Sequence, residues 1–552
     1  MRFQREGDTL GEGQARRTDL ALACAVALAW LLALTATEPA FGFVWDEGYT
    51  VRRDRRLAGW FDGLIHAPSM AARADLFSPG PLAYGWPFSR EEPDGHPPVY
   101  SLLGLAGWAL TRDILPPLSA YRFGPMALAA ATAGVVYLHV ARARGRWAGL
   151  AASTLLLLMP RTFAHAHYAH YDMPMTCFWL LAQVAFAAGL RDRRWAVAAG
   201  VCLGLSAGSK FTGLFAAVPM VAWTLLCDRK GARPGLRSLM VLLPVAAITL
   251  YAVQPPWWFE PIGGPLRFLA SNLTRSRTKP VPTMYLGRVH EFSLPWHNTA
   301  VLTVAMTPAC VLIAAAAGAI AICRHRRDQA WALIWPLSWA TLMLVRALPN
   351  APGHDGVRLF LPSIASLAVL AGWAVGPGWG WLRRIHAGCL LCTLALVECL
   401  IGIVQTYPYT DSYFSTAVGG LPGAERRGFE LTYYWETLGP EFRRWVEAET
   451  RRRDVELNIL IDETNPRLMR EWGLLPASAK LDGLDRTRRP DFVQQRRRSI
   501  FFPEDWWLER HGTPSFAIRR QGVDLLRVFP FEQYQEALRA TKGERPAAHL
   551  SR

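Results

Sequence analysis

Residues 299–322 contain no charged side chain, and the stretch is long enough to cross a bilayer as a helix. A run of that kind exposes too much apolar surface to be left in water. It directs the chain to a lipid setting, where every backbone group must bond internally and helices are the natural solution. Further apolar runs lie at about 19–37, 122–140, 147–160, 173–190, 195–208, 211–227, 236–254, 330–348, 357–375 and 386–404, which makes eleven expected spans. Apolar residues make up 51% of the 552 and charged residues 19%, a balance that excludes a disordered or collagen-like chain. The nine cysteines all lie in or at the ends of these runs. They read as small buried hydrophobes, with no disulfide or Cys-metal framework implied.

The formal net charge is +16, and its distribution orients the chain. The loops after the second, fourth, sixth, eighth and tenth runs carry fifteen Lys and Arg, among them Arg142, Arg191, Arg229, Arg326 and Arg383. Of the short loops on the other side, the one after the fifth run carries only Lys210, and residues 349–356 contain no Lys or Arg. The positive-inside rule places the Arg loops in the cytoplasm. Arg16 and Arg17 put the N-terminus there too, and eleven spans leave the C-terminal region outside. Residues 96–115 are apolar enough to suggest a twelfth span, but counting them would invert every later loop. They are read as a juxtamembrane or re-entrant helix in the first external loop. Cleavage of the first run as a signal peptide is the alternative at the N-terminus.

Two domains are expected. Residues 1–404 form a transmembrane catalytic domain that includes an external loop at 38–121. Residues 405–552 form a small α/β extracytoplasmic domain, with a helix over 440–453 and strands over 455–461 and 522–528. The fold class is thus an α-helical polytopic membrane protein with a small α/β domain appended. The Arg clusters at 451–453 and 496–498 read as solvated faces.

Charges near a membrane are costly and tend to be functional. Here they gather at the ends of the runs on the outer side: Asp46 and Glu47 in FVWDEGYT, Asp172 in HAHYAHYDMP, Lys210 in GLSAGSKFTGL, and His354, Asp355 and Arg358 in HDGVRLFLPS. That pattern fits a site opening to one side. A transporter or lipid flippase, the rival reading, would place such charges near the midplane on broken helices. A non-catalytic scaffold is the second rival, against which the Asp46, Asp172 and Lys210 set speaks. The basic balance is attributed to the Arg loops and an anionic lipid partner, not to nucleic acid.

An Asp-Glu pair after the first span, followed by a long loop containing HPP (His96 to Pro98), resembles the membrane glycosyltransferases of the GT-C superfamily. The resemblance is to glycosyltransferase family 39, which includes protein O-mannosyltransferases and aminoarabinose transferases. PWWFEPIGG, YLGRVHEFSLPWHNT and YPYTDSYFSTAVGGLPGAERRGFELTYYWETLG agree with it, over residues 40 to about 440. Enzymes of this kind transfer a sugar from a polyprenyl-phosphate carrier, usually with inversion, on the face away from the cytoplasm. The resemblance implies a bacterial inner-membrane enzyme whose partners are that donor, the bilayer, and a glycolipid, polysaccharide or protein acceptor.

The chemistry requires a base for the acceptor's proton and positive charge for the departing phosphate. By family position Asp46 is the candidate base, Glu47 a neighbour that orients the acceptor, and Asp172 the second acid. The alternatives are a helix cap or an Arg52 or Arg53 partner for Asp46, a solvated carboxylate for Glu47, and a helix cap for Asp172. Lys210 and Arg358 are the candidate phosphate clamps; snorkelling into the interface is the alternative. His96 stands where some relatives carry Lys, which shifts the load to Lys210, Arg358 or Arg288. His354 and Asp355 join the substrate-binding set, and Glu91, Glu92 and Asp94 border the acceptor cleft or are solvated. If residues 165–172 are helical, His165 shares a face with Asp172, and His167 with His170. These residue types suit Zn²⁺, but no HExxH-type spacing is present. No cofactor is assigned, and a divalent metal is left open. Trp257, Trp258 and Phe259 read first as an interfacial aromatic belt and second as a sugar-stacking surface.

The alternating loops make a direct prediction about topology. Single cysteines introduced by Asp94→Cys and Ser478→Cys should react with impermeant reagent added outside. Arg326→Cys should react only from the cytoplasmic side, and external labelling there would overturn the scheme.

Overall fold

The computed structural model describes residues 10–90, 95–227, 229–275, 281–325, 329–375, 382–434, 436–453, 457–460, 466–476, 479–481, 491–496 and 502–542. Glu91, Glu92, Asp94, Arg326 and Ser478 lie outside the described residues.

All eleven expected runs contain helix, and the helices differ in length and straightness. Among the described residues, six helices are long and apolar enough to cross a membrane: Arg17–Ala40, Pro117–Arg144, Ala232–Ala252, Ala330–Ala347, Gly356–Trp373 and Ala387–Thr406. These make the chain an integral membrane protein. A seventh is reached if Asn298–Met306 and Ala309–Arg324 count as one span bent by 118°. The continuous run at 299–322 is broken because Pro308 has no N–H to give and disfavours helical geometry at Thr307, which is extended (φ −113°, ψ 137°). Arg146–Leu158, with 13 residues, reaches only about 20 Å at 1.5 Å per residue. Arg193–Ser209 has 17 residues and is followed at once by the short helical stretch Phe211–Leu226. Asp172–Gly189 opens on a carboxylate and contains Gln183, which dilutes its apolar character.

The segment read as re-entrant forms a helix of 13 residues, Val99–Thr111. It lies tightly against Pro117–Arg144 because glycines face each other. A Cβ at Gly124 would come 2.0 Å from the Leu103 carbonyl oxygen, and one at Gly107 would come 2.4 Å from the Gly124 nitrogen. Small residues allow this backbone approach. The expected loop at 38–121 is itself largely helical. Its first long helix, Trp45–His66, carries Asp46 and Glu47 in its opening turn.

Beyond Thr406 the chain first turns back along the bundle. The described residues then form a five-stranded mixed sheet in the order Ala479–Leu481, Leu457–Leu460, Phe492–Arg496, Val523–Pro530, Phe516–Arg520. The first three strands are parallel and the last two pairings antiparallel. Pro440–Arg453 covers the sheet, with the Trp445 ring stacked on Phe516 at 5.1 Å. Phe492, Ile518, Val523, Leu525 and Leu526 join the same apolar core as the bundle. Arg520 ties the sheet down, donating to the Tyr407 carbonyl at 3.1 Å and to Glu441 at 2.9 Å.

Candidate active site

Asp46 is held by three donors from three distant parts of the chain. Its Oδ2 accepts from the Tyr171 hydroxyl at 2.5 Å, from Arg358 Nη1 at 2.8 Å, and from the Tyr434 hydroxyl. Burial pushes this carboxyl up, but Arg358 and the two phenols outweigh it and hold it well below the usual aspartate range. Among the described residues, all three of these bonds end on Oδ2 and none on Oδ1. Neither Arg52 nor Arg53 is its partner: Arg52 donates to the Gly48 carbonyl and Arg53 to the Tyr100 hydroxyl.

Arg358 connects Asp46 to the other acids. Its Nη2 lies 2.5 Å from Asp355 Oδ2, and its Nε 3.6 Å from Asp172 Oδ2. Asp355 sits in the left-handed region at φ 62°, where it leads into the short helical turn Gly356–Phe360 that carries Arg358. Asp172 Oδ1 accepts from Lys210 Nζ at 2.5 Å. Lys210 is buried and not snorkelling at a surface. Burial lowers its ammonium to about 8, against the opposing pull of Asp172. The guanidinium carbon of Arg358 also stands 4.1 Å from the centre of the Tyr434 ring, and Lys210 Nζ 4.8 Å from that of Tyr171. His96 stacks on Tyr171 with ring centres 3.7 Å apart. Burial, with Arg275 and Lys210 adding to it, holds His96 well below the ordinary histidine range and therefore neutral.

Glu47 does something other than the role expected for it. Its side chain is fully buried and receives Arg122 through Nε at 2.7 Å and Nη2 at 2.6 Å. It also accepts the Val44 N–H at 3.0 Å and the Ala169 N–H at 2.8 Å. Its oxygens are occupied, and it is neither solvated nor turned to an acceptor. Arg122 donates as well to Glu38 at 2.8 Å and to the Gly42 carbonyl at 2.6 Å. This knot joins the end of the first apolar helix to the start of the Asp46 helix and to the segment before Asp172.

The histidines also part from the helical expectation. The helix Pro160–His167 ends at His167, and Tyr168 is extended. His165 therefore meets His170 at 3.3 Å (Nδ1 to Nε2), and His170 Nδ1 lies 3.4 Å from Asp172 Oδ2. His167 faces away, bonded to the Phe163 carbonyl at 2.7 Å and stacked on Phe41. No group of three His, Cys, Asp or Glu among the described residues is placed to hold a metal ion. The acids of the cleft face Lys210 and Arg358 instead.

Two cavities open beside these groups. One of about 170 Å³ is lined by His96, Tyr171, Lys210, Arg275, Arg346, His354 and Arg358 among others. It has four cations and no carboxylate among its described lining residues. The other, about 1020 Å³, lies between Pro79–Gly85, Pro255–Phe259 and Gly263–Leu273. Trp257 and Phe259 line it, and Asn272 and Arg275 belong to both cavities. Arg288 lines neither.

Residues 95–259 match the family described as dolichyl-phosphate-mannose-protein mannosyltransferase. The match bears out the resemblance read from the sequence over the stretch that holds His96, Asp172 and Lys210. No curated protein matches the chain. Among solved structures, ArnT from Cupriavidus metallidurans in the apo state is similar at 14% identity, covering 93% of this chain and 98% of that one, with TM-score 0.48. The oligosaccharyltransferase of Archaeoglobus fulgidus is similar at 14% identity, over 86% of this chain and 58% of that one, with TM-score 0.41. The Pmt1-Pmt2 complex of S. cerevisiae is similar at 16% identity, over 47% and 35%, with TM-score 0.31. At these values the likenesses carry no assignment of residues.

Sequence reasoning singled out Asp46, Asp172, Lys210, His96, His354, Asp355 and Arg358, and the structure brings all seven to one cleft. It missed Tyr171, Tyr434, Arg346 and Arg122. The signal for Arg122 was a lone charge at the head of an apolar run. Tyr434 lay in a motif quoted for its resemblance alone.

The Arg122 knot is testable through stability. Arg122→Met leaves Glu38 and Glu47 buried without their counter-charge, a change that costs about 3–5 kcal/mol. The variant should unfold at clearly lower temperature in detergent, and adding Glu38→Gln and Glu47→Gln should recover part of the loss. Unchanged thermal unfolding of Arg122→Met would show that the knot is not under load.

Proposed function

We propose that the protein is a membrane glycosyltransferase. It transfers a monosaccharide from a polyprenyl-phosphate-linked donor to a glycolipid, polysaccharide or protein acceptor on the extracytoplasmic face of a bacterial cytoplasmic membrane. The observation that carries this reading is one juxtaposition. Asp46, with an oxygen left for a proton, shares Arg358 with the Asp172–Lys210 pair, beside a small cavity lined by Lys210, Arg275, Arg346 and Arg358. A carboxylate and a cluster of cations side by side suit the two ends of a displacement on a sugar phosphate. The family description matched over residues 95–259 supports the same donor class.

In this scheme the lipid phosphate enters the cationic cavity, and the acceptor occupies the larger one, which meets it at Asn272 and Arg275. The acceptor oxygen forms a bond to the anomeric carbon while the bond from that carbon to the phosphate oxygen breaks. Asp46 takes the acceptor's proton on Oδ1. Because its other oxygen is held by three donors, Asp46 stays ionised before each turnover and is a weak base, suited to a late proton transfer. The departing phosphate gains negative charge, which Lys210 and the three arginines neutralise in a partly desolvated space. Trp257 and Phe259 offer the larger cavity apolar surface on which a sugar ring can lie. The scheme uses no metal.

The base is tested by Asp46→Asn, which keeps size and hydrogen bonding but takes no proton. Transfer from a radiolabelled polyprenyl-phosphate sugar should fall by roughly 10²–10⁴-fold with the protein still folded. Near-normal turnover would remove Asp46 from the role. Glycolipids and glycoproteins compared by mass spectrometry with and without the protein identify the acceptor.

Lys210 predicts a split between rate and affinity. Its cation acts on charge that develops as the phosphate leaves, so Lys210→Gln should lower single-turnover rate more than donor affinity. Lys210→Arg should restore part of the rate. With its ammonium lowered to about 8, Lys210 is charged below that pH, and wild-type transfer should decline as pH rises through it. Lys210→Arg should lack this basic limb. If wild type and Lys210→Gln turn over alike, Arg358 becomes the leading clamp.

A further inference from the structure

Next to Asp172 lies a set of buried groups, His170, His165 and Asp411, that line neither cavity and that the scheme above does not use. The Asp172 backbone N–H donates to His170 Nδ1 at 3.0 Å, which makes that nitrogen an acceptor. A neutral His170 then carries its hydrogen on Nε2. That hydrogen points to His165 Nδ1 at 3.3 Å, so His165 in turn carries its own on Nε2, which lies 3.4 Å from Asp411 Oδ1. Both rings are neutral: burial pushes His165 down to about 3 and His170 well below the ordinary range. One backbone N–H therefore sets the direction of the whole chain, and the chain ends on a carboxylate.

Asp411 is almost wholly buried, and neither of its oxygens has a hydrogen-bond partner of good geometry. The groups that face it are Arg161, His165, Tyr168, Asp172, Asp355, Arg358 and Glu436. Burial raises its carboxyl above the usual aspartate range, Arg161 and Arg358 pull it down, and the neighbouring acids push it up again. Burial also raises Glu436, and the two facing acids raise each other, so Asp411 ionises at a higher pH than an ordinary aspartate.

Resting on the glycosyltransferase reading, we infer that His170, His165 and Asp411 are positioning residues that act through Asp172: ionised Asp411 holds the two rings in the Nε2–H form, and this orients Asp172 on Lys210. When Asp411 takes a proton, its pull on the His165 hydrogen is lost. His170 is then free to carry its hydrogen on Nδ1, where it would meet the Asp172 N–H donor to donor. That hydrogen would find Asp172 Oδ2, now 3.4 Å away, as its acceptor, and the carboxylate would turn toward the ring and away from its present place on Lys210. The ionised form exists above the raised value of Asp411, so transfer should fall as pH drops through a range higher than an ordinary aspartate gives.

The test has two arms. In the first, ¹⁵N NMR of histidine-labelled wild-type protein in detergent near pH 7.5, with His165→Gln and His170→Gln for assignment, should show both rings neutral with the hydrogen on Nε2. A charged ring, or a hydrogen on Nδ1 of either, overturns the inference. In the second, single-turnover transfer is followed against pH. Asp411→Asn cannot ionise, and its rate should drop on the scale seen when a residue that orients a ligand group is lost, roughly 10–100-fold. It should also lose the acid limb of the wild type, with little change in donor affinity, and Asp411→Glu should restore a limb. An Asp411→Asn protein that keeps the wild-type acid limb overturns the inference. If wild type transfers no sugar, the glycosyltransferase reading fails while the NMR arm still decides the chain of tautomers.

Discussion

The turn that presents Asp46 and the segment that leads into Asp172 are both tied to one buried cation. Arg122 sits fully inside the protein and bridges Glu38 and Glu47 while capping the Gly42 carbonyl. Removing a charge of this kind from water is expensive, and only well-formed partners on all sides offset the cost. The geometry supplies them: two carboxylates and a carbonyl, each within 2.9 Å. The reversal between the first apolar helix and Trp45–His66 is thereby fixed, and Asp46 is the neighbour of the residue so fixed. The Ala169 N–H on Glu47 extends the same constraint to the strand-like turn that leads into Tyr171 and Asp172.

On that frame the cleft is assembled from parts of the chain that are far apart. Asp46, Tyr171, Arg358 and Tyr434 come from four separate elements, and three donors converge on a single oxygen. The result separates two kinds of carboxylate. Asp46 keeps an oxygen for chemistry, whereas Glu47, one residue later, has none. Adjacent acids in the sequence thus divide into one that faces the cleft and one that is wholly engaged in the scaffold, because successive residues at a helix start point in different directions. The same logic divides the histidines, since the helix stops at His167 and the rings that follow are turned by an extended residue.

The charged cleft and the two cavities meet at Arg275 and Asn272, so the cations that would hold a phosphate also border the larger space. Asp172 links this front to the buried chain of His170, His165 and Asp411. Front and back thus share a single carboxylate, one oxygen toward Lys210 and the other toward the rings. A change of charge at the back has a short path to the front.

The sequence by itself determined the class and most of the cleft's membership. Charge-free runs separated by Arg-rich loops specify a helical membrane protein, because lipid leaves helices as the ready way to satisfy the backbone. Charges at the ends of such runs stand out as Asp46, Asp172, Lys210 and Arg358 did. Tertiary structure alone decided the rest. The break at Thr307–Pro308 and the shortness of Arg146–Leu158 appear only there, since hydropathy reports composition and not the straightness or length of a helix. The roles of Arg122 and Tyr434 lie in contacts across tens to hundreds of residues, and the pairing of His165 with His170 depends on where the helix stops. Periodicity describes neighbours along one helix, and the partners that fix a buried charge or a tautomer come from elsewhere in the fold.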